Sequence, residues 1–161
     1  EEFGITPYGT ESMHILRAEK GFIIVGQETD GTTTPQDLGM DWIVSKKKPD
    51  FVGNRSFTRS DTARADRKQL VGLLTDKPDD ILPEGAQLVF DPNAAKPMPM
   101  VGHVTSSYHS ATLGRSIALA LVKGGHNRKG EKIFAPLEDR TVTAEIVDPV
   151  FYDKEGERLN G

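Results

Sequence analysis

The stretch GHVTSSYHSATLGRSIALALVKGG, residues 102–125, decides how this chain is read. Val104 to Tyr108 are mostly β-branched, hydroxyl-bearing or aromatic, and Ile117 to Val122 form an apolar run. Leu113-Gly114-Arg115 breaks the pattern between them. Two such runs around a tight turn read as a β-hairpin. Working outward, further short runs bounded by Gly and Pro predict strands at 68–76, 86–90, 100–108, 115–123, 131–134 and 141–147. Strict alternation is clearest in Thr141-Val142-Thr143-Ala144-Glu145-Ile146. The expected fold class is α+β, mainly β: a small antiparallel six-stranded β-barrel preceded by a short helix-containing segment.

That preceding segment carries other signals. Thr6-Pro7 reads as a helix start, with the helix running to about Ala18 and ending at Gly21. The apolar run 22–25 predicts a brief strand, and 26–34 a polar loop. Thr34-Pro35-Gln36-Asp37 predicts a second, short helix with an acidic residue three after its cap. Residues 40–45, with the single Trp42, read as a strand, 54–62 as a third helix and 63–67 as a linker. The implied division is 1–66 and 67–161.

Composition narrows the function classes. At 161 residues the chain holds one domain, or one domain with an appended element. Sixteen Gly and ten Pro favour turns and short strands over a helical bundle. A net charge of −4 with interspersed signs gives no reason to propose nucleic acid. No apolar run approaches the roughly 20 residues that span a bilayer, so no membrane is expected. The absence of Cys removes disulfides and thiol chemistry and is compatible with a cytoplasmic location. The chain starts at Glu1 and not at Met, which suggests a piece of a longer polypeptide.

The chemistry-bearing residues admit competing readings. Lys46, Lys47 and Lys48 open a basic region that continues through Arg55, Arg59, Arg64, Arg67 and Lys68. It reads as a solvated face, an anion site or a docking surface for partner subunits. Thr105 to Ser110 crowd hydroxyls, Tyr108 and His109 into six positions. No nucleophile elbow or visible triad partner accompanies them, so no catalytic residue is assigned and the hydroxyls are expected to satisfy backbone groups. Tyr108 is a candidate to stack on, or bond to, a ligand. His14, His103, His109 and His126 show no metal-ligand spacing, so no metal is expected. Asp30 either caps a turn or accepts a proton near a ligand.

The residues Val104-Thr105-Ser106-Ser107 and Ser110-Ala111-Thr112-Leu113-Gly114-Arg115-Ser116-Ile117-Ala118-Leu119-Ala120 carry a resemblance. They resemble the T-S-G-x-x-S-P-T-L-G-x-x-I-A-L-A block of the glycine-cleavage aminomethyltransferases, or T-proteins, and their folate-binding relatives. Pro7 to Gly53, Lys68 to Leu74 and Asp148 to Gly161 are similar to the C-terminal region of the alpha subunits of heterotetrameric sarcosine oxidases. The resemblance implies a partial tetrahydrofolate site with Met13, Asp30, Tyr108, Phe151 and Tyr152 as candidate contacts. Met13 stands where the T-proteins carry a folate-contacting Arg, four residues before the Arg17 of the motif. It further implies a flavin-dependent oxidase as parent, with FAD, FMN and NAD bound outside this segment. The partners would be the rest of the alpha subunit and the other subunits of the hetero-oligomer. The isolated chain is then expected to be inactive.

Overall fold

The structure is a computed structural model that describes residues 3–160. Helix α1 (Thr10–Glu19) is followed by irregular chain that contains 3-10 turns at Asp41–Ile43 and Asn54–Thr58. The strands are β1 (Lys68–Thr75), β2 (Gln87–Leu88), β3 (Gly102–Ser110), β4 (Arg115–Lys123), β5 (Lys132–Pro136) and β6 (Thr141–Val147). A one-turn helix, α2 (Glu157–Asn160), follows them.

The strands form one antiparallel sheet in the order β2-β3-β4-β1-β6-β5. It curls until its edges nearly meet. Val89 and Phe134 exchange a pair of backbone hydrogen bonds at 2.9 Å, but this single bridge, not a continuous ladder, joins the ends. The inward side chains make the main core, including Val71, Leu73, Val104, Val122, Ile133 and Ile146. Full burial of each such side chain contributes about 1.5–3 kcal/mol.

A second cluster explains why β1 and β4 read as continuous apolar runs. Leu70, Leu119 and Leu121 point outward and are covered by Ile23, Leu38 and Phe151. β4 is therefore buried on both faces from Ser116 to Val122, whereas β6, with one solvent-facing side, alternates. The residues before β1 and after β6 form a strap across the outside of the sheet. Gly72 allows that strap to sit close, because a β-carbon there would lie 2.3 Å from the Asp148 carbonyl oxygen.

The strap is where the sequence expectations need correction. Residues 22–25 form no strand, and 40–45 form a 3-10 turn instead of a strand. The segment at Thr34–Asp37 is a succession of turns with no helix, although Thr34 and Asp37 do exchange the expected capping bonds. The third expected helix shrinks to one 3-10 stretch. Helix α1 starts at Thr10, with Gly9 as its cap, not at Thr6-Pro7. Ile23 and Leu38 pack against the outer face of β1 and β4, and that contact does not require a ladder or a full helix, whereas Phe22, Val25, Trp42 and Ile43 remain exposed.

Candidate functional site

Three carboxylates from the strap are buried against the barrel: Glu19, Glu28 and Asp37. Each has specific partners. Ser110 Oγ donates to Glu19 Oε1 at 2.6 Å and accepts from the Leu113 N–H at 3.0 Å. The Glu19 carbonyl accepts from the N–H groups of Phe151 and Tyr152, at 2.9 and 3.0 Å, tying the C-terminal tail to α1. Asp37 receives Arg67 through Nε and Nη2, the latter at 2.7 Å, and the N–H and hydroxyl of Thr34 at 2.9 Å. Burial works against the charge of Asp37, but the hydrogen bonds from Arg67 and Thr34 win and hold its pKa below the ordinary carboxylate value.

Glu28 is fully enclosed, 0 % exposed. It accepts from the Ile24 N–H at 2.7 Å and from the Ser106 hydroxyl, and it pairs with Arg17 Nη1 at 3.0 Å. Arg17 Nη2 donates to Ser106 Oγ at 2.7 Å and to the Tyr108 hydroxyl at 3.3 Å. The guanidinium carbon also stands 5.8 Å from the Tyr108 ring centroid. The geometry follows from two periodicities. Glu11, His14 and Arg17 lie along one side of α1, and Ser106 and Tyr108 share one face of β3. A buried arginine is thereby neutralised by Glu28 while it fixes Tyr108 from behind.

Tyr108 opens onto a cleft of about 630 Å³ lined by Glu11, His14, Gln27, Glu84 and Ser107. The other candidate residues lie elsewhere. Met13 is exposed on α1. Asp30 accepts the N–H and hydroxyl groups of Thr32 and Thr33 on one oxygen, the cap geometry, and the Thr32 hydroxyl first among these holds its pKa down at about 2. Asp30 lines a separate cleft with Arg64, Arg67, Lys68 and His103. Phe151 packs against the outer leucine cluster, and Tyr152 follows it. Lys46, Lys47 and Lys48 are solvent-exposed, with Lys46 3.3 Å from Asp41. His14 is half-buried in the Tyr108 cleft wall.

The hydroxyls of β3 divide. Thr105 donates to the Leu119 carbonyl, as expected of a backbone-satisfying group, whereas Ser106 serves side chains and Ser107 Oγ has no partner among the described residues. Sequence reasoning missed Arg17, Glu19 and Glu28 as buried groups and read Arg67 as part of a basic surface. The single usable signal was Asp37 at capping spacing from Thr34. Among the described residues no group of three or more His, Cys, Asp or Glu is placed to hold a metal ion, and no helix is long and apolar enough to cross a membrane.

The family profile described as "Glycine cleavage T-protein C-terminal barrel domain" matches residues 68–153. The chain belongs to the glycine cleavage T-protein family. A second profile, "GCVT N-terminal domain", matches residues 1–48, the part that supplies α1 and all three buried carboxylates. Over its whole length the chain is 55% identical to the sarcosine oxidase subunit alpha of Corynebacterium sp. (strain U-96), and it spans 17% of that subunit. It is 40% identical over 99% of its length to the same subunit of Rhizobium meliloti (strain 1021), covering 16% of it. It is 35% identical over 92% of its length to an aminomethyltransferase of Thermosynechococcus vestitus, covering 38% of that enzyme. The fold matches the glycine cleavage system aminomethyltransferase T of Bartonella henselae with a TM-score of 0.72 over 88% of this chain and 38% of the other, at 24% identity. The barrel fold expected from the sequence is thus shared with that enzyme.

Proposed function

We propose that this chain is the C-terminal part of a sarcosine oxidase alpha subunit, and that it contributes one wall of a tetrahydrofolate site together with a subunit contact. The observation that carries this reading is the 55% identity over the full chain to a subunit so named. The parent reaction would convert sarcosine, dioxygen and tetrahydrofolate into glycine, hydrogen peroxide and 5,10-methylenetetrahydrofolate. When bound, the folate supplies a nitrogen nucleophile for the one-carbon unit. The residues of this chain would position it and exclude water.

The fit rests on Tyr108, a half-buried ring clamped by Arg17 beside a ligand-sized cleft. Met13, Asp30, Phe151 and Tyr152 are the other proposed folate contacts, with Met13 in place of the family Arg. We assign FAD, FMN and NAD to the remainder of the parent assembly, whose setting is cytoplasmic. Residues 1–66 are read as the remainder of the folate-binding region and 67–161 as the barrel domain. Lys46, Lys47 and Lys48, exposed together on one segment, are the proposed docking face for the other subunits.

Calorimetry of the chain with tetrahydrofolate should show weak binding that Tyr108→Ala lowers; absence of heat at millimolar ligand rejects the folate role. Co-elution with the other oxidase subunits should be lost when Lys46, Lys47 and Lys48 all become Glu, and its persistence rejects the docking face. Sarcosine turnover by the chain alone would overturn the reading that it lacks a reactive centre. The 35% identity to an aminomethyltransferase favours a second reading, the C-terminal region of a T-protein. A methylene-transfer assay with a lipoyl carrier separates the two.

A further inference from the structure

On the strap side of the barrel lies a second cleft of about 450 Å³ that shares no lining residue with the Tyr108 cleft. Its floor is apolar, built from Leu38, Leu70, Met40 and Val150. Two aromatic side chains stand at it with unusual exposure: Trp42 at 75 % and Phe22 at 60 %. Neither belongs to the buried core clusters. Large aromatic surface left in water beside an apolar hollow marks a surface that meets a partner or ligand, and an aromatic ring is a partner that stacks on it.

The rim is cationic. Lys20, Lys129 and Lys154 line the cleft, and Asp148 alone of the carboxylates lines it with them. Lys129 and Lys154 share Asp148, with Lys154 at 3.3 Å, while Lys20 pairs with Asp153 at 3.4 Å. Three ammonium groups therefore face two carboxylates. His126 completes the wall. Burial first, and then the nearby Lys129, lower its pKa, so its ring is neutral at pH 7. The volume lies in the range of small-molecule sites.

We propose that this cleft binds a planar aromatic anion, with the ring against Trp42 and Phe22 and a carboxylate or phosphate on Lys129 and Lys154. The inference is independent of the folate role of Tyr108, because the two clefts have no residue in common. Dispersion and ring stacking supply the apolar part of the affinity, and charge-assisted hydrogen bonds select for the anionic group.

The test uses the single tryptophan, which gives one indole N–H cross-peak in the spectrum of the ¹⁵N-labelled chain. That peak is followed during titration with 2-naphthoate, 2-naphthyl phosphate and the uncharged 2-naphthamide. The expected result is a saturable shift with an anion, with 2-naphthamide about tenfold weaker, the size of one charge-assisted bond. The tighter of the two anions identifies carboxylate or phosphate as the natural group. Lys129→Gln with Lys154→Gln should weaken the anion by a similar factor and leave the rest of the spectrum in place, since both side chains are exposed. Tyr108→Ala should leave the titration unchanged. Equal affinity for 2-naphthamide, or no shift with either anion at millimolar concentration, overturns the proposal. So does an indole shift that depends on protein concentration alone, which would make a second copy of the chain the occupant.

Discussion

The guanidinium of Arg17 lies 3.0 Å from the carboxylate of Glu28, and the carboxylate is sealed from solvent. Two charges taken out of water at this distance hold each other in place. Removing one of them leaves the other buried and uncompensated, at a cost of about 3–5 kcal/mol. Arg17→Met should therefore lower the stability measured by urea unfolding by that amount. The double variant Arg17→Met, Glu28→Met should lose clearly less than the two single losses combined, with a coupling of about 1–3 kcal/mol. Additive losses would mean that the pair is not an energetic unit.

Ser110 and Ser107 are both buried hydroxyls on β3, yet they should respond in opposite ways to truncation. Ser110 Oγ donates to the buried Glu19 carboxylate at 2.6 Å, so Ser110→Ala strips a charge of a partner and should cost about 1–3 kcal/mol. Ser107 Oγ has no partner among the described residues, so Ser107→Ala removes an unsatisfied polar atom and should be neutral or stabilising. Equal loss in the two variants, measured by thermal or urea unfolding, would contradict the hydrogen-bond assignment.

The contrast between β4 and the strap shows what was legible in the sequence. Ile117 to Val122 read correctly as a strand because β-branched and apolar residues between turn signals leave few alternatives. The runs at 22–25 and 40–45 look similar, but Phe22, Val25, Trp42 and Ile43 stay exposed, and the partly buried Ile23 and Leu38 lie on β1 and β4 without joining the sheet. The β3–β4 and β5–β6 hairpins were readable because their strands are neighbours in sequence, whereas β1 pairs with the distant β4 and β6 and was readable only as an apolar run between turn signals. The ion-pair network was not: Arg17 and Ser106 are 89 residues apart, and Arg67 and Asp37 are 30 apart. Local patterning marks such residues as polar and therefore as surface. Tyr108 stands out in the sequence by its ring, whereas nothing near Arg17 in sequence marks it as the group that fixes that ring.

Gly72 sets how closely the tail can lie on β1. A β-carbon there would meet the Asp148 carbonyl oxygen at 2.3 Å and the partly buried Phe151 ring at 2.8 Å, and the backbone in particular does not yield cheaply. Gly72→Ala should destabilise by about 1–3 kcal/mol, the usual cost of overpacking. Hydrogen exchange should rise at the Phe151 and Tyr152 amides, which bond the Glu19 carbonyl. Gly31, with nothing within 4 Å of an added β-carbon, is the control, and Gly31→Ala should leave both readouts unchanged. Unaltered exchange in Gly72→Ala would mean that the tail is not seated by this contact.

The acid limb of stability should depend on Asp37. An unfolded Asp titrates near pH 3.9. In the folded chain its desolvation is outweighed by Arg67 and Thr34, so its pKa lies lower. As pH falls, the unfolded chain therefore takes up the proton first. The stabilisation is complete above about pH 4 and is lost as pH drops through the folded value. Arg67, its own pKa raised first by the hydrogen bond to Asp37, stays charged throughout. Asp37→Asn should lower stability at neutral pH, because Arg67 then faces an uncharged amide in a buried site. It should also flatten the decline of unfolding free energy with falling pH. Some decline must remain, since Asp30, held at about 2 by Thr32, and Asp148, lowered by Lys129, are depressed in the same sense. Urea unfolding at stepped pH in both proteins measures the difference in slope. Identical slopes would show that the Asp37 carboxylate is not held in its charged form by Arg67.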